Sequence, residues 1–108
     1  MDFEFVEVDI FSRQLTGILT DDEYADLQTF MVRYPVAGAL IPGGRGIRKL
    51  RWGLRGKGKS GGIRVIYYLY LRDYRIYMIN IYQKTKKEDL DRNKLALLAD
   101  FAARYLKG

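Results

Sequence analysis

Residues 63–84 read IRVIYYLYLRDYRIYMINIYQK, and this stretch decides the fold. β-Branched and aromatic residues dominate Ile63 to Leu71, the composition of a buried strand. Arg72-Asp73-Tyr74 is a short hairpin connection, and Arg75 to Tyr82 reads as the returning strand. Val65, Tyr67, Leu69, Ile79 and Ile81 are the expected core of this hairpin, with Tyr68, Tyr70 and Tyr77 on its faces. Upstream, Ile47 to Trp52 (IRKLRW) reads as another strand, separated from the hairpin by the glycine-rich loop Gly53–Gly62. Consecutive strands joined by short loops favour an antiparallel meander, because parallel neighbours need long crossovers.

The flanks supply helices. Phe3 to Val8 reads as a short strand, with Phe3 and Phe5 on one face and Val6 and Val8 on the other. Ile10, Phe11, Leu15, Ile18 and Leu19 form an apolar helical stripe, weakened by Gly17. Thr20 followed by Glu23 is a capping box, and Asp21 and Asp22 suit the positive end of a helix dipole. Tyr24, Leu27, Met31 and Tyr34 then recur on one helix face until Pro35 stops it. Ala37 to Gly46 reads as a loop. Thr85 and Glu88 suggest a second capping box, opening a C-terminal helix with Leu90, Leu97, Leu98, Phe101 and Tyr105 on its apolar side. The predicted order is β-α-α-β-β-β-α, a single α+β domain over residues 1–108, its antiparallel sheet covered on one face by helices from both ends of the chain.

Charge is segregated along the chain. Residues 1–30 carry −7 and residues 31–108 carry +13, giving the net +6. From Gly43 to Arg64, GGRGIRKLRWGLRGKGKSGGIR holds eight lysines and arginines among glycines, with no acid. Glycines let backbone approach a ligand closely, and cations packed among them suit phosphates, so a polyanion is the expected partner. The run from Gly53 to Ser60 matches a phosphate-loop pattern literally. A strand follows it instead of a helix, which argues against nucleotide triphosphate binding.

The chain has no cysteine and no histidine. Disulfides, thiolate or imidazole metal sites and histidine-based catalysis are thereby excluded. The acids lie away in sequence from every basic feature, so no metal or other cofactor is expected. No apolar run approaches the ~20 residues of a membrane span, and MDFEFVEVDIF carries acids where a signal peptide carries bases. A cytoplasmic protein is expected.

Lysine, arginine and tyrosine remain for chemistry. Arginine holds a phosphate through two parallel N–H bonds. Lysine among other cations becomes a better proton carrier near neutrality. Arg64 opens the central strand with Ile63 and Val65 on the opposite face, so it stands on an open face beside the loop. Lys57 and Lys59 alternate with glycines in the loop and suit RNA backbone contacts. Lys49 and Arg51 share one face of their strand, Arg48 and Trp52 the other; Trp52 reads as core. Tyr82 and Lys84 follow where the returning strand ends.

The segments IRKLRW, GKGKSGGIR, RVIYYLYL, RIYMINIYQK and TKKEDL together resemble the RelE/HigB-type toxins of bacterial type II toxin–antitoxin systems, especially the HigB-like branch. The likeness spans nearly the whole chain and agrees with the predicted element order. It implies a RelE-like microbial ribonuclease-type fold and a metal-independent endoribonuclease, an mRNA interferase that enters the ribosomal A site and cleaves mRNA during translation. It implies a cognate antitoxin, often with a helix-turn-helix domain, through which the pair reaches operator DNA. Residue by residue, the family's strand arginine maps to Arg64, its sheet-end lysine to Lys84, its loop lysines to Lys57 and Lys59, and its basic strand to Lys49 and Arg51. Some relatives place an arginine, tyrosine or histidine after the last strand, near the position of Thr85 or Asp91; this chain has none there, and Tyr82 is a weak substitute. Two other readings stand beside this one: a basic module that docks on nucleic acid or the ribosome without cutting, and a DNA-binding regulator, which lacks a basic recognition helix.

Overall fold

The structure is a computed structural model that describes residues 2–53, 62–84, 97, 98 and 100. In chain order the elements are β1 (Glu4–Glu7), α1 (Asp9–Leu15), α2 (Asp21–Arg33), β2 (Ala39–Leu40), β3 (Ile47–Trp52), β4 (Ile63–Tyr70), a 3-10 turn (Leu71–Asp73) and β5 (Arg75–Gln83). They form an α+β domain around a five-stranded sheet of order β1-β5-β4-β3-β2.

The β3–β4–β5 meander is antiparallel, as short loops require. Its hairpin turns through Tyr74 in the left-handed region (φ 53). The sheet as a whole is mixed, which corrects the all-antiparallel expectation. β1 joins the outer edge of β5 in parallel, Glu4 opposite Arg75 and Glu7 opposite Met78. Two helices and three strands separate the pair in sequence, and a connection of that length permits the parallel arrangement. The predicted loop after Pro35 also contains a strand, the two-residue β2, which pairs with Arg48 and Lys49 of β3.

The two N-terminal helices cover one face. Phe11, Leu19, Leu27 and Met31 pack there with Leu50, Ile63, Val65, Tyr67, Ile76, Met78 and Ile81. Full burial of each such side chain contributes about 1.5–3 kcal/mol. The Thr20 capping box forms as expected: Thr20 Oγ1 accepts from the Glu23 N–H at 3.1 Å, and Glu23 Oε1 accepts from the Thr20 N–H at 2.8 Å. Tyr34 departs from the predicted stripe and is 52% exposed. Its backbone (φ −130, ψ 67) has already left the helix before Pro35, and its ring rests on Phe30. Val8 packs on the same side as Phe3 and Phe5, not beside Val6, because β1 has ended at Glu7.

Ile47, Ile66, Tyr68, Tyr77, Ile79 and Tyr82 form a second cluster on the opposite face, joined by Leu98. Leu97, Leu98 and Asp100 are helical. The expectation that helices from both ends share one face is therefore corrected for Leu98. The proposed Thr85–Glu88 capping box and most of the C-terminal stripe lie outside the described residues.

One irregularity sets the faces of β5. Ile66 pairs with Asn80 and Tyr67 with Met78, which leaves Ile79 as an extra residue in β5. Strict alternation would put Ile79 and Ile81 on one face. The bulge splits them, Ile81 toward α1 and α2 and Ile79 toward the opposite face. Tyr82 is thereby turned onto the face opposite α1 and α2.

A polar latch ties the α2–β2 connection to the sheet. The Tyr67 hydroxyl donates to the Pro35 carbonyl at 2.8 Å and accepts from the Gly38 N–H at 3.0 Å. Arg48 Nη1 donates to the Gly38 carbonyl at 2.7 Å. A Cβ on Gly38 would lie 2.7 Å from the Tyr67 ring, so this close approach requires glycine.

Candidate functional site

Residues directly opposed on neighbouring strands share a face. Arg51 of β3 pairs with Arg64 of β4, and Arg64 pairs with Tyr82 of β5. Arg51, Arg64 and Tyr82 therefore form one row at the end of the sheet, on the face opposite α1 and α2. The next row is Lys49, Ile66 and Asn80. The Lys84 N–H donates to the Gly62 carbonyl at 3.3 Å, which carries the β4–β5 pairing one step beyond the strand ends.

A cavity of about 380 Å³ opens at this edge, lined by Arg51, Trp52, Gly53, Gly62 and Arg64. The chain leaves the sheet at Gly53 and returns at Gly62, so both ends of the cationic loop border the cavity. Lys57 and Lys59, the loop positions singled out in the sequence, lie outside the described residues.

Arg64 occupies the face predicted for it but is not open there. It is 8% exposed, and its Nη1 has no hydrogen-bond partner among the described residues. A buried guanidinium with an unused donor is costly, and a second guanidinium directly opposite adds like-charge repulsion. An anion in the cavity would relieve both. Charge-assisted bonds from guanidinium to phosphate or carboxylate are about twice as strong as neutral ones.

Lys49 and Arg51 lie on the Arg64 face of the sheet, with Arg51 exposed and Lys49 half-buried. Tyr82 is only 2% exposed, inside the second cluster, so its ring forms a wall beside Arg64 and offers no open stacking face. Trp52 packs on Phe30, ring centroids 5.1 Å apart, as a core residue should. A separate cleft, also bordered by Trp52 and Gly53, carries Asp22, Glu23 and Asp26 together with Arg33.

Sequence reasoning missed Asn80. It is 7% exposed, and its Oδ1 has no hydrogen-bond partner among the described residues. The signal was present: an asparagine, poorly suited to strands, interrupts the apolar run Ile76–Tyr82.

An α+β domain with two N-terminal helices packed on one face of this sheet is the RelE-type fold. A scan of the sequence against models of known families finds no match. Among solved structures, the chain is similar to Escherichia coli toxin RelE, an arginine-to-alanine double variant in the free state. The TM-score is 0.59 at 14% identity, covering 82% of this chain and 90% of that one. It is also similar to a chain of the intact E. coli RelBE toxin–antitoxin complex, with a TM-score of 0.51 at 14% identity over 74% of this chain and 94% of that one. Among the described residues, no helix is long and apolar enough to cross a membrane.

Proposed function

We propose that this chain is the toxin of a type II toxin–antitoxin pair, a ribosome-dependent endoribonuclease that cleaves mRNA in the ribosomal A site. The observation that carries this reading is the row Arg51–Arg64 at the mouth of the cavity, with a buried guanidinium whose Nη1 lacks a partner among the described residues. The RelE-type fold supports it.

In the proposed reaction the ribose 2′-OH gives up its proton and attacks the adjacent phosphorus. The P–O5′ bond breaks, and the 5′-oxygen leaves with a proton, giving a 2′,3′-cyclic phosphate and a 5′-OH end. Arg64 binds the non-bridging oxygens and stabilises their growing charge. Lys84 and Lys59 carry the protons to and from the reacting oxygens. Lys57, Lys49 and Arg51 hold the flanking phosphates, and Tyr82 keeps Arg64 in place. Alignment of the 2′-OH, phosphorus and leaving oxygen is the ribosome's contribution, a positioning effect that suits a site without imidazole. The protein acts in the cytoplasm, where an antitoxin, in this reading one with a helix-turn-helix domain, silences it and brings the pair to operator DNA.

The test is expression of the chain with and without the product of the adjacent reading frame. Growth arrest with new 5′-OH ends inside translated codons, relieved by the neighbour, is the expected outcome. Translation arrest with intact mRNA would instead identify a binding module that does not cut.

A further inference from the structure

We infer that Arg45, on the turn between β2 and β3, is a second RNA-phosphate contact, set apart from the cavity at Arg64; the inference rests on the RNA-binding reading of this chain. Three backbone hydrogen bonds hold the turn. The Ile41 N–H donates to the Ile47 carbonyl at 3.0 Å, the Gly44 N–H to the Ile41 carbonyl at 2.8 Å, and the Ile47 N–H to the Gly44 carbonyl at 3.2 Å. The backbone takes left-handed values at Gly43 (φ 74), Arg45 (φ 56) and Gly46 (φ 103). Glycine adopts them freely, whereas a Cβ disfavours them. At Gly44 a Cβ would lie 2.6 Å from Ile47 Cγ1 and 2.9 Å from the Ile41 carbonyl oxygen. Glycine thus suits all four positions of the turn, and Arg45 is the one side chain among them.

Folding makes no use of that side chain. Arg45 is exposed and has no hydrogen bond or ion pair among the described residues. Backbone strain kept at a residue without a packing role points to function. A guanidinium with all its donors free suits a phosphate. The turn Leu71–Asp73 lies beyond the same end of the sheet and adds the exposed Arg72. Its acid, Asp73, is already 3.9 Å from Arg75. Ile47 and Arg51 stand four residues apart in β3, about 13 Å. Arg51 faces Arg64, and Arg45 lies two residues beyond Ile47 at the other end. A single phosphate cannot touch both sites, so they engage different phosphates of a larger RNA. Two contacts on one sheet fix the orientation of that RNA against the cavity.

The experiment measures binding of the full chain to vacant ribosomes and to oligouridylate as salt is raised. It compares the wild type with Arg45→Gly, Arg45→Lys and a control for net charge, Arg13→Gln, which removes an exposed cation from α1. Loss of one phosphate contact should reduce the slope of log K against log salt by about 0.7–1. That reduction in Arg45→Gly, absent from Arg45→Lys and Arg13→Gln, supports the inference. If it is confined to ribosomes, the phosphate belongs to ribosomal RNA; if oligouridylate shows it too, a single strand such as mRNA supplies it. Arg45→Gly also relieves the turn, so its melting temperature should rise and misfolding cannot explain the weaker binding. A wild-type slope in Arg45→Gly, or an equal reduction in Arg13→Gln, would overturn the inference. Failure of the wild type to cleave, with the slope difference intact, would sink the ribonuclease reading and leave the Arg45 contact standing.

Discussion

Arg51 on β3 lies directly opposite Arg64 on β4. Two permanent positive charges on one row of a sheet weaken the free protein, and the burial of Arg64 deepens the cost. In the proposed site, the stabilising partner of this pair is an incoming anion.

Removal of the Arg64 charge should therefore stabilise the free chain. Arg64→Met is expected to raise the free energy of unfolding by about 1–2 kcal/mol, because an uncompensated buried ion gives way to packing. Urea denaturation measures this directly. A loss of stability would mean that Arg64 is already satisfied in the free state.

The Tyr67 latch makes the opposite prediction. Tyr67→Phe leaves the Gly38 N–H and the Pro35 carbonyl without their shared partner and should cost about 1–3 kcal/mol. Gly38→Ala should cost a similar ~1–3 kcal/mol through overlap with the Tyr67 ring. Both are read from denaturation midpoints at unchanged m-value.

Alkaline pH should loosen the fold through tyrosine. Burial, reinforced by the hydrogen bond to Glu7 and its negative charge, raises the Tyr24 phenol above its ordinary 10.0. Burial also raises Tyr67. In the unfolded chain these phenols ionise near their ordinary value while the fold keeps them protonated. Their contribution is complete below pH 10 and is lost as pH rises toward the raised folded values. Tyr24→Phe should flatten the stability decline above pH 10 by up to about 1.4 kcal/mol per pH unit. An unchanged slope would show that neither burial nor the 2.8 Å contact with Glu7 raises the Tyr24 phenol in the folded chain.

Arg45 carries backbone strain at an exposed position, with φ 56 between Gly44 and Gly46. Arg45→Gly should stabilise the protein by about 1 kcal/mol, the order of the left-handed penalty for a residue with a Cβ. Thermal or urea unfolding checks it.

Much of this fold is legible in the sequence. The bounds of Ile47–Trp52 are recovered, as are the hairpin and the Thr20 capping box, because each rests on local composition or a fixed spacing. The shared face of Lys49 and Arg51 follows from simple alternation, whereas its match to the Arg64 face comes only from the ladder register. Three features do not follow. The parallel seat of β1 on β5 is a long-range choice with no local signature. β2 is two residues long, too short to show a period. The β5 bulge breaks alternation at Ile79, and on it depend the facing of Tyr82 and the row position of Asn80. Burial of Arg64 was also illegible, since arginine at a strand start reads as solvent-facing.

The most direct test of the account is cleavage of mRNA on programmed ribosomes by the wild-type chain and by Arg64→Ala. The account predicts a cut within the A-site codon that leaves a 5′-OH end, slowed at least ~100-fold in the variant, the range seen when a group that stabilises transition-state charge is removed. Cleavage by Arg64→Ala at the wild-type rate would contradict it.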